Sequence, residues 1–176
     1  AYRHVGHSVT RLHAPPSRRG RDLVDGLVRA VEARDIPLAF GSPVVRLLTD
    51  GEGRLTGAEA GSDRAGFSRI GARAIVLACN GFGANRTLLE RFCPDIAGAT
   101  YFGSQGSEGE AILWGEELGA ALANMTAYQA HGAVAVPQGA LVTWTVVEKG
   151  GVIVNAGGHR FGNESLGYSA FAAEEA

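Results

Sequence analysis

Residues 74–92 read AIVLACNGFGANRTLLERF. The run Ala74–Ala78 is continuous and apolar, the pattern of a strand buried on both faces. It ends in Cys79, Asn80 and Gly81, small residues that let a ligand lie against the backbone and bond its amides. A helix is expected from near Asn85 to Phe92, stopped by Pro94, and its positive end would face the same space. Taken alone, the stretch better suits a strand that turns into a loop with glycines for steric reasons.

The flanks add elements on both sides. Upstream, residues 1–21 show no clear period and read as an irregular loop. Leu23, Val24, Leu27, Val28 and Val31 then recur at helical spacing, which predicts an amphipathic helix from Asp22 to about Arg34. IPLAF (36–40) and VVRLLTD (44–50) read as strands. Asp50–Gly53 is a tight turn and RLTGAEA (54–60) the return strand, a strong hairpin signal. A second turn at 61–66 leads to a strand over 67–72. Downstream, YFGSQGSEGE (101–110) is glycine-rich. EAILWGEELGAALANM (110–125) predicts a second helix, with Ile112, Leu113, Leu118 and Leu122 as its apolar positions. LVTWTVV (141–147) and GVIVN (151–155) read as strands and Gly157–Gly158 as a turn. ESLGYSAFAAEE (164–175) reads as the start of a helix.

The 176 residues are 45% apolar and 19% charged, with a net charge of −2. That balance suits a globular domain and exerts no general pull on nucleic acid or anionic lipid. Arg18, Arg19 and Arg21 beside Pro15 and Pro16 read as a solvated loop. No apolar run approaches the ~20 residues of a membrane span. Cys79 and Cys93 have no zinc spacing, and a reduced, cytoplasmic setting is the expectation. The 26 glycines sit at element ends, as tight turns and close approaches require.

Four blocks in order carry a family resemblance: AIVLACNGFGANRTLLERF, GSEGEAILWGEELGAALANM (106–125), YQAHG (128–132) and GGVIVNAGGHRFGNE (150–164). The chain resembles the flavoproteins that include fumarate reductases, succinate dehydrogenases, 3-ketosteroid dehydrogenases and tricarballylate-type dehydrogenases. The resemblance covers nearly all of residues 11–176. It implies an α/β (α+β) fold: part of an FAD-binding domain with its β-meander over 1–83, and an incomplete capping, substrate-binding domain over 84–176. In that family a GxGxxG loop holds the FAD pyrophosphate. No such loop is found here, so the chain reads as an internal piece that binds FAD weakly or not at all. Its expected partners are a small-molecule substrate and the remaining parts of the parent flavoprotein.

The resemblance also assigns roles. Val45, Ala78, Cys79, Asn80, Gly81 and Glu110 fall at cofactor-binding positions. Cys79 replaces a threonine, and Glu110 replaces the aspartate of a Thr-Gly-Asp-Gly whose first and last residues are Glu108 and Ala111 here. As side chains, Val44 and Val45 read as strand core. His131 matches the histidine that hydrogen-bonds substrate. Fumarate reductases carry a proton relay of two arginines and a glutamate, and those positions here hold Trp144, Val147 and Tyr168. Fumarate reduction by that route is therefore not expected. Tyr168 remains a candidate acid or base for dehydrogenation, since a phenol near pKa ~10 suits exchange with an enolate. Arg160 and Glu164 read as a structural ion pair, His159 as an exposed hairpin tip, and Trp114 and Met125 as packing residues.

Two functions from different classes follow. One is part of an FAD-dependent oxidoreductase that moves hydride between flavin and a carbonyl- or carboxylate-activated C–C bond. The other is a non-catalytic nucleotide-binding or interaction module on the same scaffold.

Overall fold

The computed structural model describes residues 8–11, 13–131, 134–167, 171 and 172. The chain divides into two compact units, Ala1–Ile75 and Val76–Ala176.

The first unit begins with α1 (Gly20–Glu32), two residues short of the expected end. Its apolar stripe forms as the spacing predicts, but none of its residues is buried: Leu23, Val24 and Leu27 each stay more than half exposed. Three antiparallel strands follow in the order β1 (Val44–Thr49), β2 (Leu55–Ser62) and β3 (Gly66–Gly71). The first turn closes on Asp50, whose Oδ1 accepts from the amides of Glu52 and Arg54, while Gly53 takes φ +77°. The register places Arg46, Glu59 and Arg69 side by side across the three strands. Arg46 Nε and Arg69 Nε donate to the two oxygens of Glu59 at 2.8 and 3.1 Å. The Arg46 bond first, then the Arg69 bond, hold the Glu59 carboxyl down at about 2.

Two expectations fail here. Ile36–Phe40 is irregular rather than a strand, and Ile36, Leu38 and Phe40 are exposed. Val44 and Val45 are not core: both are about two-fifths exposed, and Val45 falls where the β1–β2 register slips by one.

The second unit opens at Val76, within the apolar run 74–78. Residues 74–80 run without helix or ladder, and Val76 is 89% exposed. The expected buried strand is therefore absent. A strand needs a neighbouring edge to satisfy its backbone groups, and among the described residues none pairs with it. The helices do form. α2 (Arg86–Phe92) starts at Asn85, whose Oδ1 accepts from the Leu88 amide at 3.1 Å, and gives way to a 3-10 turn at Pro94–Ile96. α3 (Glu110–Glu117) ends well before the expected residue 125. Gly119 adopts φ +77°, its amide donates to the Glu116 carbonyl, and the Ala120 amide donates to Gly115. That pair of bonds is the Schellman stop, which requires a left-handed residue that glycine supplies without strain. Arg91 ties α2 to α3 through both oxygens of Glu116, at 2.6 and 2.9 Å.

Beyond α3, β4 (Val134–Ala135) and β5 (Ala140–Leu141) form a short hairpin. The remainder of the expected strand 141–147 instead enters α4 (Thr145–Glu148). Of the expected strand 151–155 only a Val154–Arg160 bridge appears. The turn at Gly157–Gly158 is present, with Asn155 Oδ1 accepting from the amides of Gly157 and His159, and His159 is exposed. A 3-10 turn follows at Glu164–Leu166. Most of the helix expected after it lies outside the described residues. Phe171 is fully buried, against Trp144 at 5.6 Å and Phe161 at 5.5 Å between ring centroids.

Candidate functional site

The second unit holds a cavity of about 970 Å³. The glycine-rich opening motif supplies one wall through Gly81, Phe82 and Gly83, and the 101–103 loop another through Tyr101 and Phe102. Gln129 and His131 line it as well, with Val134, Val136 and Leu141 of the short hairpin. The arrangement thus brings Gly81 and His131, two of the residues singled out in the sequence, to one space.

Local packing fixes the walls. A Cβ on Gly83 would lie 2.2 Å from the Tyr101 ring, and one on Gly103 would lie 2.3 Å from its hydroxyl. Tyr101 is therefore seated between two glycines, and its hydroxyl donates to the Ser104 carbonyl at 3.1 Å. A Cβ on Gly109 would meet Leu88 at 2.4 Å and Phe82 at 2.8 Å, at a residue whose φ is +83°. Only glycine fits there, and it lets the start of α3 close on the opening motif.

Asn80 takes a left-handed conformation, φ +66°, which asparagine tolerates better than most residues. Its Nδ2 donates to Ser107 Oγ at 2.8 Å, and Ser107 is 1% exposed. The Ala84 amide donates to the Ser107 carbonyl, and Asn85 Nδ2 to the Glu108 carbonyl. These bonds knit residues 80–85 to the loop that leads into Glu110. One oxygen of Glu110, Oε2, is buried without a hydrogen-bond partner among the described residues. Space around Gly81 is open, with nothing within 4 Å of where a Cβ would stand.

The other candidates fall elsewhere. Ala78 is exposed and Cys79 half-buried on the unpaired segment. Val45 belongs to the other unit. Tyr168 lies outside the described residues. Trp144 packs on Phe171. Arg160 donates through Nε to Glu164 Oε2 at 2.9 Å, and the Ile153 amide donates to Oε1 at 2.9 Å, so this pair staples the hairpin around residue 157. The Arg160 bond, then the Ile153 amide, hold the Glu164 carboxyl at about 2. Ser107 and the aromatic wall of Phe82, Tyr101, Phe102 and Tyr128 were not singled out in the sequence. The signal for Tyr101 was the glycine pair on either side, each of which leaves room for a ring.

Residues 2–174 match the family described as FAD binding domain. The chain belongs to that family. A probable fumarate reductase of Shewanella frigidimarina is 30% identical over 161 residues, covering 90% of this chain and 27% of that protein. The open conformation of a flavocytochrome c3 fumarate reductase superposes with a TM-score of 0.76 at 30% identity, covering 92% of this chain and 28% of that one. The 3-ketosteroid-Δ4-(5α)-dehydrogenase of Rhodococcus jostii, in complex with 4-androstene-3,17-dione, gives 0.64 at 28% identity, covering 84% and 28%. The chain therefore spans little more than a quarter of the length of these relatives. No helix among the described residues is long and apolar enough to cross a membrane.

FAD needs close backbone approach and groups that accept from its hydroxyl and N–H donors. The open backbone at Gly81 and the unpartnered oxygen of Glu110 fit those needs.

Proposed function

We propose that this chain is part of an FAD-dependent oxidoreductase that moves hydride between flavin and a C–C bond next to an activating carbonyl or carboxylate. The observation that carries the reading is the shared cavity of His131 and the Gly81–Gly83 turn. An imidazole and a glycine whose backbone stands open, lining one space, support that reading. FAD, when bound, supplies the two-electron chemistry. Asn80, Gly81 and Glu110 would hold it from this unit, with Ala78 and Cys79 contributing through their main chain. His131 orients the substrate oxygen by donating a hydrogen bond. Tyr168 is the proposed acid or base.

Residues 1–83 would belong to the flavin domain and 84–176 to the cap. Trp144 and Val147 carry no transferable proton, which supports desaturation over fumarate reduction. The remaining parts of the parent would cover the apolar stripe of α1 and pair with residues 74–78. The two free cysteines suit a reducing cytoplasm.

The test is expression of the full-length protein. FAD is expected to co-purify with it, and its visible absorbance to bleach with a ketone or acid that can be desaturated. A complete protein that binds no FAD would overturn the reading. Bound FAD that no ketone, dicarboxylate or tricarboxylate bleaches would favour a non-catalytic module.

A further inference from the structure

We propose that Ser107 is a positioning residue for the flavin, acting through Asn80 to hold the Gly81 turn and the Glu110 loop in fixed relation; this role rests on the oxidoreductase reading. Ser107 is not among the residues that line the cavity, and at 1% exposure it offers a ligand no surface. It stands behind the wall instead. Its Oγ accepts from Asn80 Nδ2 at 2.8 Å, and its carbonyl accepts from the Ala84 amide at 2.9 Å. Those two partners bracket residues 81–83, which line the cavity. One buried residue therefore grips both ends of that turn. The Ser107 amide donates to the Ser104 carbonyl at 3.0 Å, the same oxygen that accepts from the Tyr101 hydroxyl.

The turn needs such a grip. Gly81 and Gly83 leave its backbone free to take many conformations, and Asn80 sits at φ +66°, where a residue with a Cβ is disfavoured. The side-chain bond to Ser107 offsets that cost and selects one conformation. The same residue leads into the other half of the site. Asn85 Nδ2 donates to the Glu108 carbonyl, Gly109 closes on Leu88 and Phe82, and Glu110 opens α3. The open backbone at Gly81 and the buried, unpartnered oxygen of Glu110 are thus placed relative to one another before FAD arrives. Groups ordered in advance bind without the entropy cost of ordering them.

The experiment is titration of FAD into the apo form of the full-length protein, at a temperature where every variant is folded. Wild type is compared with Ser107→Ala, Asn80→Gly and the double variant. Glycine at 80 keeps the left-handed backbone and removes only the side-chain donor, while alanine at 107 keeps the carbonyl that holds Ala84. Each single variant is expected to weaken FAD binding about fivefold, the worth of one hydrogen bond. The double variant should weaken it no further, because both changes remove the same bond. A bond that served folding alone would lower the unfolding midpoint of the apo protein and leave the FAD dissociation constant unchanged; that result overturns the inference and leaves the oxidoreductase reading standing. Additive losses in the double variant overturn it too, since Ser107 would then not act through Asn80. If Ser107→Ala does not fold, Asn80→Gly, at an exposed residue, decides alone: unchanged FAD affinity overturns the inference. A wild-type protein that binds no FAD sinks the oxidoreductase reading and this role with it.

Discussion

Glu164 does two jobs with one carboxylate. Its side chain is 4% exposed, accepts from the Ile153 amide and pairs with Arg160, and so closes the hairpin around Gly157 and Gly158. Its pKa is lowered from 4.5 to about 2. A depressed value means the carboxylate stabilises the native state above pH 4.5, and that contribution is lost as pH falls toward 2. Glu164→Gln is expected to remove that acid dependence and to speed hydrogen exchange at the Ile153 amide; unfolding curves across this window check it. Asn85 is the second such residue. It caps α2 and holds the Glu108 carbonyl. Asn85→Ala should cost about 1 kcal/mol, read by denaturant unfolding of the full-length protein. Both residues were readable in part: the Arg160–Glu164 pair from its spacing, the α2 start from Asn85. The bonds from Ile153 and Glu108 were not, because their partners lie 11 and 23 residues away.

At the scale of elements, local signals held wherever a turn set the geometry. The β1–β2–β3 meander follows its turns at 50–53 and 63–65, and the Arg46–Glu59–Arg69 row reinforces the register. Gly57 sits at a close approach within that sheet, since a Cβ there would lie 2.2 Å from the Ile70 carbonyl oxygen. Gly57→Ala is therefore expected to destabilise the meander by roughly 1–3 kcal/mol, with faster exchange of the β2–β3 amides as the readout. Elements without such punctuation departed from the pattern. LVTWTVV is rich in β-branched residues, yet Trp144 turns onto Phe171 and the chain coils into α4. β propensity is context-dependent and gives way where a large ring finds a buried partner. The helix expected to reach residue 125 stops at Gly119 because the left-handed turn there satisfies its last carbonyls.

At the scale of the molecule, apolar surface is left open on both units. Leu23, Val24 and Leu27 on α1 and Val76 on the 74–80 segment are more than half exposed. The chain spans 28% of the flavocytochrome c3 fumarate reductase that it superposes on. The isolated chain is therefore expected to enhance the fluorescence of a hydrophobic dye and to bind FAD no more tightly than about 100 μM. The full-length protein should show neither behaviour. Titration of FAD into both forms checks this, and a yellow, stoichiometric preparation of the isolated chain would contradict it.

The order of α1, the meander and α2 was legible in the residues, because apolar spacing, turn residues and a cap act within a few residues of one another. It also carried the family, through four blocks whose order is more specific than any one of them. Packing in three dimensions settled that residues 74–80 find no pairing strand among the described residues, that Ser107 holds Asn80, and that Gly81, Tyr101 and His131 line one cavity. Those outcomes depend on which distant groups meet, and neither periodicity nor propensity encodes the partner of a strand edge or the occupant of the space beside a glycine.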